Sequence, residues 1–277
     1  MGNYLLGNYS FGIIGAMLVK IINVNLGKDL KELRIIPISD VHIGDKLTNY
    51  KLFKQVVDVI KDTPNVYTIL NGDLCNTALK NSKSDVYSDD LSPMEQIIKL
   101  VEILTPIRDK ILVIGTGNHE DRIKKETNVD VIRLVARELG IEDRYADNWW
   151  YLFLRFGEKE QGRKAPMCYQ ITGYHGSGGG GRKAGGKINK LQEMSNVVVA
   201  DLYLQGHHHQ QIATRSAVFI PDYANNSLTR KDMNFLMTNS FLDYGGYGEK
   251  AGFTPQPIGI SEAILDGTKR KIKILLR

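Results

Sequence analysis

The chain has 277 residues, 42% of them apolar and 24% charged, the balance of an ordinary globular protein with ample length to bury a core without staples. Two cysteines, Cys75 and Cys168, exclude a disulfide framework and read as reduced thiols. A net charge of +5 and a pI near 9.0 favour polyanionic partners without requiring them.

The opening stretch MGNYLLGNYSFGIIGAMLVK lacks both the basic leading region of a secretory signal and the length of a membrane span. Leu6 stands where the myristoylation pattern wants Ser or Thr. Residues 1–16 therefore read as a flexible N-terminal extension, and residues 17–277 as one domain that begins with a strand at Met17. No membrane contact and a cytoplasmic location are the corresponding expectations.

Along the chain, short apolar runs are each followed at once by a polar cluster. LRIIPIS (33–39) leads to Asp40 and His42, VYTILN (66–71) to Asp73, and KILVIG (110–115) to Asn118 and His119. CYQITGY (168–174) leads to His175, and ADLYLQG (200–206) to His207. Runs of this length, rich in Ile, Val, Leu and Tyr, predict buried strands. Between them lie helical patterns at 50–62, at 92–104 and at 128–140. The second has Ser92 as N-cap, Pro93 at the first helical position and Glu95 closing a capping box. The third runs from Asn128 to Gly140. Strands alternating with helices indicate α/β layering. Later on, 233–241 reads as a strand and 260–276 as a hairpin across Asp266-Gly267. Trp149-Trp150 precedes a strand-like run; packing is the plainer role for the pair and base stacking the sharper one.

Half of the six histidines fall in one tripeptide, His207-His208-His209. Ligands of open α/β sheets bind at the carboxyl ends of strands, and here five strand ends deliver imidazole, carboxylate and amide groups: Asp40, His42, Asp73, Asn118, His119, His175, His207 and His209. That mixture suits Zn, Mn or Fe rather than Ca or a thiolate-rich structural zinc site, and it exceeds what one tetrahedral ion can use. Asp40 and His42, like His207 and His209, are spaced i, i+2, which at a strand end aims both side chains to one side and leaves His208 pointing away.

The order D-x-H, G-D, G-N-H-E, a lone H and G-H-x-H resembles the calcineurin-like metallophosphoesterase superfamily. Here it is carried by Asp40-Val41-His42, Gly72-Asp73, Gly117-Asn118-His119-Glu120, His175 and Gly206-His207-His208-His209, spanning residues 35 to 210. The resemblance implies an α/β fold, a four-layer αββα sandwich of two mixed sheets flanked by helices. It also implies two divalent ions, Mn favoured over Fe or Zn. Asp40, His42 and His209 would hold the first, Asn118, His175 and His207 the second, and Asp73 would bridge them. His119 would be the catalytic histidine, donating a proton to the leaving oxygen while a hydroxide shared by the two ions attacks phosphorus. The chain departs from the G-D-x-x-D-R version of the pattern. Asn76 stands in place of the second acid and no Arg follows, which speaks against the phosphoprotein phosphatase branch and leaves the partner of His119 open; Asn76 is a candidate substrate contact.

After His175 comes GSGGGGRKAGGKINK, in which Gly181 to Lys187 fits G-x-x-x-x-G-K, but Ile188 occupies the place of the Mg²⁺-holding Ser or Thr. The loop is either a permissive turn or a mobile phosphate cradle built from backbone N–H groups with Arg182, Lys183 and Lys187. The expected function is a two-metal phosphoesterase, in particular a phosphodiesterase or nuclease on nucleic acid. A small-molecule phosphomonoesterase or cyclic-nucleotide phosphodiesterase, and a non-catalytic metal-binding scaffold of the same fold, are the alternatives.

Overall fold

A computed structural model describes residues 10–14, 17–80, 89–162, 164–179, 181, 183–250 and 252–277. In chain order the elements begin with strands β1 (Ser10–Ile14), β2 (Met17–Asn25) and β3 (Glu32–Ile38), then helix α1 (Tyr50–Asp62), strand β4 (Val66–Asn71) and helix α2 (Pro93–Leu104). Strand β5 (Ile111–Gly115) follows, then helices α3 (Asn118–Thr127) and α4 (Val131–Glu138), and strands β6 (Tyr145–Ala146), β7 (Trp150–Phe156) and β8 (Met167–Tyr174). Helix α5 (Ala184–Glu193) precedes β9 (Leu202–Gln205), β10 (Ile212–Asp222) and β11 (Ser227–Met237). A short helix α6 (Gly246–Lys250) and the strands β12 (Ser261–Asp266) and β13 (Ile272–Leu276) complete the order. No helix among the described residues is long and apolar enough to cross a membrane.

Two mixed sheets result. One has the order β1-β2-β7-β8-β9-β11-β10 and the other β13-β12-β3-β4-β5-β6, whose last four strands run parallel. Alternation along the strands sorts the apolar side chains into three interfaces. Ile36 and Ile38 of β3 face α1, α2 and α4, together with Phe53, Ile60, Leu100 and Val135, whereas Leu33 and Ile35 of the same strand face the other sheet. Along β7, Trp150, Leu152 and Leu154 enter that inter-sheet core, while Tyr151 packs outward with Leu191 and Met194 beneath α5. Three buried interfaces separate four layers, so the chain is the αββα sandwich expected from the resemblance.

The elements depart from the sequence reading in three places, while the Trp149-Trp150 pair packs as the plainer reading expects. Residues 10–14, within the expected N-terminal extension, pair antiparallel with β2; residues 1–9, 15 and 16 lie outside the described residues. The predicted helix 128–140 starts later, because Asp130 accepts from Arg133 N as its N-cap, while Asn128 takes the left-handed conformation (φ 60°) that ends α3. The hairpin β10–β11 pairs Ile212 with Met237 through Asp222 with Ser227, where the sequence reading had only a strand at 233–241. Its turn signal is the left-handed Asn226 (φ 47°) beside Asn225. Finally, Trp150 is fully buried with its Nε1 donating to Asn71 Oδ1 (3.1 Å), and Trp149 stacks on Tyr174 at 4.3 Å; packing is the role of both.

Candidate metal centre

Strands β3, β4 and β5 of one sheet and β8 and β9 of the other end at a common place, and the residues following them converge there. The loops after β3 and β4 stay zipped beyond the strand ends: Asp40 N donates to Gly72 O (3.0 Å), His42 N to Asp73 O (3.1 Å) and Ile43 N to Leu74 O (2.9 Å). Asp40, His42, Asp73, His207 and His209 all have positive φ, between 49° and 69°. Each left-handed residue costs about 1–2 kcal/mol, a strain that concentrates at functional sites and persists because the surrounding bonds over-determine it. Asp40 and His42 lie beyond β3, and His207 and His209 beyond β9, so left-handed turns rather than strand alternation aim each pair.

Three overlapping clusters of possible ligand atoms result: Asp40, His42 and His209; His42, Asp73 and His119; Asp73, His175 and His207. They share His42 and Asp73, forming one continuous double site. His209 Nε2 lies 3.1 Å from Asp40 Oδ1 and 3.3 Å from His42 Nε2, and His175 Nε2 lies 3.0 Å from Asp73 Oδ2. His207 Nδ1 lies 2.7 Å from Asn118 Oδ1, which adds the amide oxygen to the same wall. His208 is outside these clusters; its ring packs edge-on against His207, with centroids 5.1 Å apart.

Backbone carbonyls set which imidazole nitrogen faces the centre. His175 Nδ1 pairs with Asn71 O (2.8 Å), His119 Nδ1 with Asn76 O (2.9 Å) and His207 Nε2 with Gly178 O (3.2 Å). Each carbonyl can only accept, so the nitrogen it meets carries the N–H and the opposite nitrogen turns its lone pair toward the centre, the arrangement that second-shell partners give metal-bound histidines. His175 Nε2 is left without a hydrogen-bond partner, with Asp73 Oδ2 3.0 Å away. Lone pairs of several groups aimed at one point make a site that a cation fits. The charges agree. Burial alone would raise Asp40 and Asp73, but the neighbouring histidines (His175 and His209 for Asp40, His175 and His119 for Asp73) hold both below the usual carboxylate range. Burial alone would lower His175, but Asp73 and Asp40 push it up to about 10, so the two carboxylates favour positive charge at that spot. Burial keeps His42 and His207 low, in the neutral form that ligates a metal. The donor set of imidazoles, carboxylates and an amide oxygen fits divalent Mn, Fe or Zn.

The site needs close approach as well as strain. A Cβ on Gly117 would meet Asp73 Oδ1 at 2.1 Å, and one on Gly206 would meet Asp40 Oδ2 at 2.7 Å. Sequence reasoning quoted Glu120 but assigned it no role. It is fully buried and accepts four backbone N–H groups: Leu74 (2.6 Å) and Cys75 (2.9 Å) at Oε1, Gly117 (2.9 Å) and Asp73 (3.1 Å) at Oε2. It therefore locks the Asp73 loop onto the start of α3, while burial and the nearby Asp73 push its carboxyl up to about 7. Its sequence signal was its place three residues after the Gly117 cap.

The main-chain carbonyl of Asn76 meets His119 Nδ1 (2.9 Å), and its buried side-chain Nδ2 donates to Asp89 Oδ1 (2.6 Å). Asp89 in turn accepts from the buried Gln96 Nε2 (3.1 Å), so Asn76, Asp89 and Gln96 tie this loop to α2. In the glycine-rich segment, Arg182 lies outside the described residues, and Lys183 is the exposed N-cap of α5. Lys187 is half-buried, its Nζ 3.4 Å from His208 O.

Residues 33–211 match the family model for calcineurin-like phosphoesterases. No curated protein matches the chain. Among solved structures, a predicted phosphoesterase from Streptococcus pneumoniae is 17% identical, with 88% of this chain and 90% of that one covered and a TM-score of 0.36. A metallophosphoesterase from Sphaerobacter thermophilus is 14% identical, with 88% of each chain covered and a TM-score of 0.39. Vps29 from Chaetomium thermophilum is 13% identical, covering 88% of this chain and 97% of that one with a TM-score of 0.38. With the motif-bearing span matched from β3 to beyond β9, the chain belongs to the calcineurin-like phosphoesterase family.

Proposed function

We propose that the protein is a two-metal phosphoesterase. Asp40, His42 and His209 hold one divalent ion, Asn118, His175 and His207 the other, and Asp73 serves both. When bound, such a pair supplies Lewis acidity and water of lowered pKa. The observation that carries the reading is the convergence of candidate ligand atoms around Asp73, with His175 Nε2 left without a hydrogen bond. His119 is the catalytic histidine in this reading. Its Nδ1 proton is held by Asn76 O, and its Nε2 faces the centre 3.8 Å from Asp73 Oδ2. Burial lowers its pKa, against the pull of Asp73, so it rests neutral. The negative charge of a phosphoryl group placed beside it favours its protonated form, which is the form that donates to a leaving oxygen.

Within this class we favour a phosphodiesterase or nuclease on nucleic acid, supported by the net charge of +5 and the basic loop that carries Lys183 and Lys187. Hydrolysis of bis-p-nitrophenyl phosphate, p-nitrophenyl phosphate and single-stranded DNA with added Mn²⁺ tests this. Turnover of the diester and the DNA is expected. Turnover of the monoester alone overturns the diesterase assignment, and bound metal without turnover of any ester points to a scaffold.

A further inference from the structure

The family match stops at residue 211, yet the carboxylate of the first metal site is held by residues well beyond it. Asp40 offers Oδ1 to the centre, 3.1 Å from His209 Nε2. Its other oxygen, Oδ2, accepts the hydroxyl of Ser39, and Ser39 Oγ in turn meets Thr238 Oγ1, just past the end of β11. His207 N is 3.1 Å from both Asp40 oxygens. Two residues further on, Ser240 Oγ and Phe241 N donate to Asp40 O, each at 3.0 Å, and fasten the left-handed backbone of Asp40. Ser39, Asp40, Thr238 and Ser240 are all buried.

Counting protons gives the chain its direction. An ionised Asp40 has none, so Ser39 must donate to Oδ2, and its lone pair is then free only to accept. Thr238 Oγ1 is the donor that faces it. Thr238 Oγ1 also lies within donating reach of Gln205 O at 3.2 Å, but its contact with Ser39 Oγ is the shorter one, and that carbonyl already takes Thr238 N–H at 2.9 Å. Aligned hydroxyls in a dry interior strengthen one another, and they fix a carboxylate so that one oxygen only is presented.

We propose that Thr238 and Ser240 are positioning residues for the first metal site, acting through Ser39 and the Asp40 backbone to select Oδ1 as the ligand atom. This rests on the two-metal reading above. Thr238→Val keeps the shape and removes the donor. Second-shell changes of this kind weaken metal binding by about 10–100-fold, and here the loss falls on one of the two ions, because the second site does not use Asp40.

The test is calorimetric titration of the metal-free protein with Mn²⁺, with thermal unfolding run in parallel. Wild type is expected to bind two ions. Thr238→Val is expected to bind one with wild-type affinity and the other at least tenfold more weakly, with an apo unfolding midpoint close to wild type. Thr238→Ser restores the affinity of the weakened ion, and Ser240→Ala reproduces the selective loss. Equal weakening of both ions, or failure of Thr238→Ser to rescue, indicates a merely structural role and overturns the inference, as does wild-type affinity for both ions in Thr238→Val. A wild-type protein that takes up no Mn²⁺ overturns the metal-centre reading and this inference together. Two ions bound without hydrolysis of any ester overturns the enzymatic reading alone.

Discussion

Replacing Glu120 by Gln tests how the site is held before any ion arrives. The side chain keeps its volume, so no cavity opens. Its carboxylate accepts two N–H groups at each oxygen, from Leu74 and Cys75 at one and from Gly117 and Asp73 at the other. An amide keeps one acceptor oxygen and turns an NH₂ against the other pair of donors. Two buried N–H groups thus lose their partner, at about 1–3 kcal/mol each, and partial relaxation of the loop makes about 2–4 kcal/mol the expected total. Urea unfolding of the chelator-treated protein measures it, since bound metal would add stabilisation of its own. With a denaturant slope of about 3 kcal/mol/M, the midpoint falls by roughly 1 M. A midpoint within about 0.2 M of wild type would refute the reasoning, because Glu120 would then not be what joins the Asp73 loop to α3.

Asp73→Ala is expected to reduce tight Mn²⁺ uptake from two ions to none, as read by metal analysis after desalting; two ions retained would contradict the shared role of Asp73. His119→Ala should keep both ions and lose about 10²–10⁴-fold in kcat on a diester, so a variant that loses metal instead would move His119 among the ligands. Gly117→Ala places a Cβ where Asp73 Oδ1 now lies, 2.1 Å away. Weakened metal uptake is expected from titration, and unchanged uptake would show that the loop yields without consequence. Replacing Arg182, Lys183 and Lys187 together by Ala should weaken single-stranded DNA binding and flatten its salt dependence by up to about two units of slope, at roughly 0.7 per phosphate contact, while leaving small-ester hydrolysis intact. An unchanged salt slope would remove the loop from substrate binding.

The residue types of the centre were legible in the sequence because each follows an apolar strand. A strand that ends at the sheet edge must hand its next residues to that edge, wherever the rest of the chain goes. Thus Asp40, His42, Asp73, Asn118, His175, His207 and His209 could be named from local pattern, and the helical spacing of 50–62 gave α1 its bounds. What the pattern could not carry is anything that depends on two distant segments meeting. The zipped loops that hold Asp40 and His42 in left-handed turns are one instance, and the four donors on Glu120 are another. His119 Nδ1 meets the main-chain carbonyl of Asn76, while the Asn76 amide donates to Asp89, itself held by Gln96 from another part of the fold. The hold of Thr238 on Asp40 through Ser39, across some two hundred residues, has no sequence signature at all. Periodicity and strand-end placement are properties of neighbouring residues, which the sequence fixes by itself. Hydrogen bonds between remote groups exist only once the sheets have packed, and they decide which oxygen, which nitrogen and which proton the site presents.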